Sequence, residues 1–480
     1  MIFNKNIINP EKQYEATVAI NDFSGGVNTV VDEINVNTKY CARSFNFNWE
    51  SKILKDGLGI KEYKPMGKSF VYPQGATLKG LYYFKRYDSQ NEVYADELLA
   101  YFDDKKVYKY KIGSENTTFA VVTGLTFDNT PVGINYKYNG KNVIILSAEG
   151  KTPVMYDGES VETITDAPQI KSMCIHYERL YVATGGEGTT LWFSDDFDPT
   201  NWYVSLNEAG YIDFQDDRGQ LLKVLSFQDY VYIFRTSGIS RLQAYGSQED
   251  FEVTQLYTTS GKIYPQSITV CGDRIIFLAE DGFYEFNGLT ANRILVNYDG
   301  LIKGVDNSEA TGEFYNGNLY MNMKIDDGGI ITNVTLVYKM HFGTSYLYKG
   351  PKINAMCKIV SQDINDLLVI CGNNGKIGTL TDKSVCFSQP LEKVWESPKS
   401  DFGLNEGEKV FSGMSIDVRG NVSVTIESDK ESKTFNIDGN GRKSVRTAVK
   451  GDVFKIILRT KDVNVKISRL KLHFRYSGGK

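Results

Sequence analysis

Three observations predict an all-β fold for this 480-residue chain: seven short apolar runs recur about every 45 residues, aromatic residues abound (Tyr 31, Phe 26, Trp 4), and the C-terminal stretch alternates strictly between apolar and polar residues. The expected architecture is a β-propeller of about seven blades at 77–386 followed by a C-terminal antiparallel β-sandwich at 391–480. The runs begin at Leu98, Val143, Leu180, Val231, Ile275, Leu319 and Leu367, and each reads as the inner run of its unit. Each is followed by a turn rich in Gly, Asp or Asn and then a shorter strand, as in YVYIFRTSGISRLQAYG (230–246) and RIIFLAEDGFYEFNG (274–288). Parallel βαβ architecture needs amphipathic helices of about ten or more residues between strands, and the sequence offers none.

Taken in order, residues 1–20 are polar and aperiodic and read as a flexible arm. Residues 21–76 form an N-terminal strap. Gly25 and Gly26 permit unusual backbone angles, Asn37 caps a short helix reaching Ser44, and KDGLG, flanked by Ile53, Leu54 and Ile60, signals a hairpin. The strap is expected to be separable, so that a chain without 21–65 keeps its propeller. In the C-terminal region Val422, Val424, Ile426 and Phe454, Ile456, Leu458 alternate with polar residues, with Trp395 and Phe402 at the entry.

Lys+Arg 54 nearly balance Asp+Glu 59, which argues against nucleic-acid binding by the whole surface. The charge is unevenly placed: 441–480 carries twelve Lys or Arg against Asp452 and Asp462, or +10, so a net of −5 leaves −15 on the residues before it. Six dispersed cysteines without a C-x-x-C pair read as buried thiols of a protein made in a reducing compartment. No apolar run approaches the ~20 residues of a membrane-spanning helix, and no secretory signal opens the chain.

Catalytic chemistry has little support. His176, His341 and His473 stand apart, no phosphate loop or metalloprotease pattern occurs, and no catalytic residue, cofactor or metal ligand is assigned. Asp103-Asp104, Asp195-Asp196-Asp198, Asp216-Asp217 and Asp326-Asp327 read as turn residues, whose carboxylates bond the local backbone. SDDFDPTNW (194–202) resembles the Asp-box of sialidases without its glycine, so Ser194, Asp195, Asp198 and Trp202 are structural turn markers. The aromatics could serve as sugar- or base-stacking platforms, but most lie inside the apolar runs and read as packing. Expected partner contacts are Phe23, Gly25 and Gly26 in the strap and the basic Arg442, Lys443, Arg446 and Lys450.

F-S-G-G-V-N-T (23–29), L-W-F-S-D…D-P…N-W, Y-I-D-F, Y-V-Y-I-F-R with S-G-I-S-R-L after it, and D-G-F-Y-E-F-N-G together resemble the β-propeller tail proteins of short-tailed bacteriophages and prophages, of the packaged-DNA stabilisation, tail-hub or nozzle kind. The resemblance covers 23–288 and, more loosely, 309–382. It implies a non-enzymatic virion protein, assembled in the host cytoplasm, whose copies form a cyclic ring, six-fold by expectation, beside portal, adaptor and other tail proteins. Such a ring continues the channel for double-stranded DNA without sequence-specific binding and retains the genome until ejection. An acidic body would let DNA slide, while the basic C-terminal region docks on a neighbour. The alternatives are a glycan-binding or sialidase-like propeller for host recognition and a bacterial scaffold with no viral history.

Overall fold

The chain is all-β; most of its sheets are antiparallel meanders of strands that follow one another in sequence, and the others pair strands from distant parts of the chain. The computed structural model describes residues 13–88, 91–186, 188–205, 208–259, 261–361, 364–372, 375–404 and 407–477. It divides into two units. One is drawn from residues up to Ile60, from Leu336–Gly350 and from Thr381 onward; the other is Lys61–Thr335 with Pro351–Leu380.

The second unit is a series of small antiparallel sheets. Five are complete four-stranded meanders; the third, for example, is Ile170–His176, Arg179–Thr184, Thr190–Phe193 and Gly210–Asp213. The sixth contributes Thr311–Tyr315 paired with Asn318–Asp326, and the seventh Ile353–Val360, Asn365–Cys371 and Lys376–Thr381. Each of the seven register residues falls in the second strand of its sheet. The reading of these runs as innermost is corrected by packing. First strands lie against one another, Thr311–Tyr315 between Thr269–Cys271 and Ile353–Val360, so the register strands stand one step further out.

Neighbouring sheets bury apolar faces against each other. Tyr181, Leu191 and Phe193 of the third sheet meet Val224, Val231 and Ile233 of the fourth, and Phe234 and Ile239 of the fourth meet Ile275 and Phe277 of the fifth. The first sheet returns to the seventh: Leu78, Leu98 and Phe102 share one cluster with Cys357, Ile359, Leu368 and Ile370. The sheets therefore close on themselves in a propeller-like ring. Each aliphatic side chain buried in these seams contributes about 1.5–3 kcal/mol.

The other unit holds two antiparallel sheets. One orders Asn440–Gly451, Lys409–Arg419, Lys466–Ser477, Leu54–Asp56 and Phe47–Asn48; the other orders Arg43–Phe45, Lys393–Glu396, Phe454–Thr460, Val422–Ser428 and Ser432–Ile437. Their apolar faces meet, with the Phe454 ring 5.2 Å from that of Phe474 on the opposite sheet. Val422, Val424, Ile426, Phe454, Ile456 and Leu458 are all buried, as their alternation requires.

The N-terminal expectations need correction. Residues 1–12 of the expected arm lie outside the described residues, and Gln13–Ile20 is ordered against the body of the protein, paired antiparallel with the strand Lys466–Ser477 along its whole length. The helix after Asn37 is replaced by a 3-10 turn at Glu33–Asn35 and short strands at Tyr40–Cys41 and Arg43–Phe45. Pairing with Gly26–Val27 and Lys393–Glu396 supplies the backbone bonds that a helix would have made. The hairpin is displaced too. Phe47–Asn48 pairs with Leu54–Asp56, and Gly57 allows close approach, since a Cβ there would sit 2.7 Å from the Asn46 carbonyl oxygen. The segment 21–60 thus supplies strands to both sheets of this unit.

Lys393 and Asp56 form a buried ion pair within this unit, 3.0 Å apart with side-chain exposures of 0 % and 7 %. Burial pushes the Lys393 ammonium below its ordinary value, and the Asp56 carboxylate offsets this only in part. Asp56→Ala should lower the unfolding free energy by about 3–5 kcal/mol, because the ammonium is left buried alone, whereas Asp56→Leu with Lys393→Met should cost far less. The sign with pH follows. In Asp56→Ala the folded lysine sheds its proton before the unfolded one does, so the deficit should shrink as pH rises from neutral toward 10.5. Urea unfolding at neutral and alkaline pH measures both effects.

Candidate functional site

The turn 194–202 joins the third and fourth strands of the third sheet, and its side chains fold back to hold it. Ser194 is fully buried. Its Oγ accepts from the Leu180 amide at 3.0 Å and donates to the Asp195 carbonyl at 2.9 Å, while its own carbonyl accepts from Arg179 Nη1 at 3.1 Å. Asp195 accepts from the Asp196 amide at 2.8 Å and from Asn201 Nδ2 at 3.1 Å, and Asp198 accepts from the Thr200 amide at 2.9 Å. Trp202, 4 % exposed, donates Nε1 to the Pro199 carbonyl at 2.9 Å. These four residues brace the turn.

Around the brace lies a surface that sequence alone did not single out. The Phe197 amide donates to the Glu178 carbonyl, tying the turn to the Tyr177-Glu178 turn of the same sheet. Phe197, Tyr203 and Tyr245 are 66 %, 72 % and 70 % exposed, and the Tyr177 ring stands edge-on to Tyr245 with centroids 5.7 Å apart. Phe197 (φ 57°) and Tyr177 (φ 43°) hold left-handed backbone, an uncommon conformation for bulky residues and one that clusters at functional sites. Carboxylates crowd the same place. Burial first, then the charges of Asp198, Glu178, Asp196 and Asp195, push the Tyr136 hydroxyl up to about 12. Arg179 Nε answers Asp196 at 2.7 Å. The product is an acidic collar carrying exposed aromatic rings. Its signal in the sequence was weak, because an aromatic in a turn looks the same as one in a strand until the strand ends are known.

The basic residues lie on a different surface. On the sheet holding Lys466–Ser477, the positions that alternate with buried Leu470, Leu472 and Phe474 are Arg469, Lys471, His473 and Arg475. Arg442 and Arg446 stand two strands away, each paired across the sheet with Asp417 or Gly413 of the intervening strand. A groove of about 470 Å³ crosses this face, lined by Thr17, Gly413, Ser415, Arg446, His473 and Arg475 among others. Gly413 is required there, since a Cβ would lie 2.6 Å from the Val445 carbonyl oxygen. His473 Nδ1 meets Thr17 Oγ1 at 3.1 Å, Arg475 pairs with Glu15 at 3.2 Å and Arg442 with Asp417 at 3.0 Å. Arg446 and Lys471 meet no carboxylate at ion-pair distance among the described residues. Arg446 and Lys450 are exposed and Lys443 half-buried, so the basic set is brought together on one sheet.

Of the expected strap contacts, Phe23 and Gly26 are buried and Gly25 is half-buried. Phe23 is 1 % exposed and stands edge-on to Trp395 at 5.3 Å. A Cβ at Gly25 would lie 2.7 Å from the Lys39 carbonyl oxygen, and Gly26 (φ +76°) sits beneath the Trp49 ring. Phe23 and Gly26 belong to the core of the two-sheet unit.

Among the described residues no group of three or more His, Cys, Asp or Glu is placed to hold a metal ion. His176 is buried, its Nδ1 2.9 Å from Ser226 Oγ, and burial holds its pKa below the usual 6.5 against the opposing charge of Asp229. All six cysteines are buried thiols; burial pushes Cys271 and Cys357 up to about 12, which leaves them unreactive at neutral pH. Asp104 and Asp216 accept from the Lys106 and Arg218 amides, the turn role expected for the acidic pairs. Among the described residues no helix is long and apolar enough to cross a membrane.

No protein-family model matches the chain, and no curated protein matches it. Solved structures that resemble it include BBS1N in complex with ARL6DN (10 % identity, 68 % of this chain and 96 % of that one, TM-score 0.41). BamB from Moraxella catarrhalis (12 %, 71 % and 99 %, 0.39) and the Neurospora crassa Pan2 WD40 domain (10 %, 69 % and 96 %, 0.39) are comparable. Likeness of this degree carries no argument about function.

If Ser194 braces the turn, Ser194→Ala should cost about 1–3 kcal/mol by leaving the buried Leu180 amide without its acceptor. Thermal unfolding should detect the loss.

Proposed function

We propose that the chain is a non-enzymatic structural protein of a bacteriophage or prophage tail, built as a seven-bladed β-propeller with a β-sandwich and working as a cyclic ring of copies. The strings that resemble the tail-hub and nozzle proteins carry this reading, because they fall on positions that each unit needs. F-S-G-G-V-N-T places Phe23 against Trp395 in one unit. In the other, L-W-F-S-D…N-W forms the braced turn and D-G-F-Y-E-F-N-G forms the third strand of the fifth sheet. In this role the ring continues the DNA channel below portal and adaptor proteins and helps retain the genome. Its contacts with passing duplex would be non-specific and dependent on salt.

A second reading draws on one observation, the exposed rings of Phe197, Tyr203 and Tyr245, which suit stacking against sugar faces in a glycan-binding or sialidase-like propeller.

Electron microscopy of the purified protein and of particles that contain it should show closed rings at the tail vertex. A glycan array and a fluorogenic sialoside provide the opposing measurement: specific glycan capture or turnover would remove the structural reading and install the second.

A further inference from the structure

The acidic collar and the basic groove are opposite in charge, and residues of both are exposed. The collar projects apolar anchors, Phe197 and Tyr203, set among Glu178, Asp195, Asp196 and Asp198. The groove offers the reverse: Arg446 and the Glu15-paired Arg475 in its lining, Lys471 beside it opposite Ser415, and Gly413 in its floor, with no Phe, Tyr or Trp on its outward positions. A face so poor in apolar side chains lacks the anchors that centre a protein interface, and the collar supplies them. Aromatic rings over arginine add cation–π attraction, and carboxylates beside arginine add charge-assisted hydrogen bonds.

We infer that the collar of one copy docks in the groove of a second copy. The partner is this chain itself because it carries both halves: +10 on 441–480 and −15 on the residues before. Collar and groove are different surfaces, so the contact is head-to-tail, the kind that closes into a ring when its rotation allows. This deepens the ring reading of the function and rests on it for biological meaning. His473 and Thr17 border the groove, so the strand Gln13–Ile20 forms one wall.

Sedimentation velocity of the full chain tests this at about 50 mM and about 500 mM NaCl, across the range where screening of surface charge sets in. Wild type should form species larger than a monomer at low salt and revert toward monomer at high salt. Phe197→Ser with Tyr203→Ser, and separately Arg446→Glu with Lys471→Glu, should each weaken self-association by about tenfold or more while leaving the melting temperature unchanged. Mixing the two variants should restore one contact, the intact collar of one copy in the intact groove of the other, and yield a dimer that grows no further. A monomeric wild type at low salt, variants that assemble as wild type does, or a mixture that stays monomeric would each overturn the inference. So would a monomeric chain that binds duplex DNA and loses it with Arg446→Glu and Lys471→Glu, which assigns the face to a polyanion. Rings that survive both variant pairs would leave the tail-ring reading standing and remove only this interface; a collar-dependent dimer in a protein missing from particles would support the interface and remove that reading.

Discussion

The unit Lys61–Thr335 with Pro351–Leu380 depends on the seam where its first sheet meets its last. Leu78, Leu98 and Phe102 come from the start of the series and Cys357, Ile359, Leu368 and Ile370 from its end. Without that seam the outer sheets at both ends would expose apolar faces to water, and each sheet would keep only one neighbour. Closing so long a loop carries an entropic cost that grows only slowly with length. The area buried when the ring shuts outweighs it and also leaves few free sheet edges for other chains to pair with.

That closure explains why the sequence was so readable there. A sheet that buries both faces must place apolar residues on both, so its second strands appear as continuous runs, LLAYF, VIILS, LYVAT and VYIFR, spaced by the size of one four-stranded meander. Leu98, Val143 and Leu180 could be aligned by eye for that reason. The two-sheet unit was legible only where one face is wet, as at Val422, Val424 and Ile426. Its strands between Gly26 and Asp56 are two or three residues long, too short for any period to show, and Arg43–Phe45 has its partner, Lys393–Glu396, hundreds of residues away. Asn46 illustrates the difficulty. Its left-handed backbone (φ 61°) and side-chain bonds to Lys349 and to the Glu392 carbonyl define how three segments meet, yet in sequence it is one asparagine in an asparagine-rich stretch.

The candidate surfaces were half legible for a related reason. Charge needs no partner to be recognised, so Arg442, Arg446 and Lys450 were found as a set, although their convergence on one sheet face with Arg475 required the strand order. The acidic turn was noticed for its carboxylates and assigned to bracing, which its hydrogen bonds describe well. Exposure of the rings beside it depends on where strands stop, and so Phe197, Tyr203 and Tyr245 emerged only in three dimensions. Brace and surface are one device: hydrogen bonds spent inside the turn hold the aromatic side chains outward at fixed positions, which lowers the entropy lost when something lands on them.

The pairing of Gln13–Ile20 with the strand Lys466–Ser477 has a consequence for biosynthesis. Thr17 and His473, which touch, are 456 residues apart. A ribosome therefore releases every sheet of the ring before it has made the strand against which Gln13–Ile20 lies, and a nascent chain carries that early segment unpaired for most of its synthesis. Folding is vectorial for the ring and deferred for the two-sheet unit, so only chains made through to that late strand can finish the basic face. Translation that stops early would leave the ring of sheets made and the basic face unfinished.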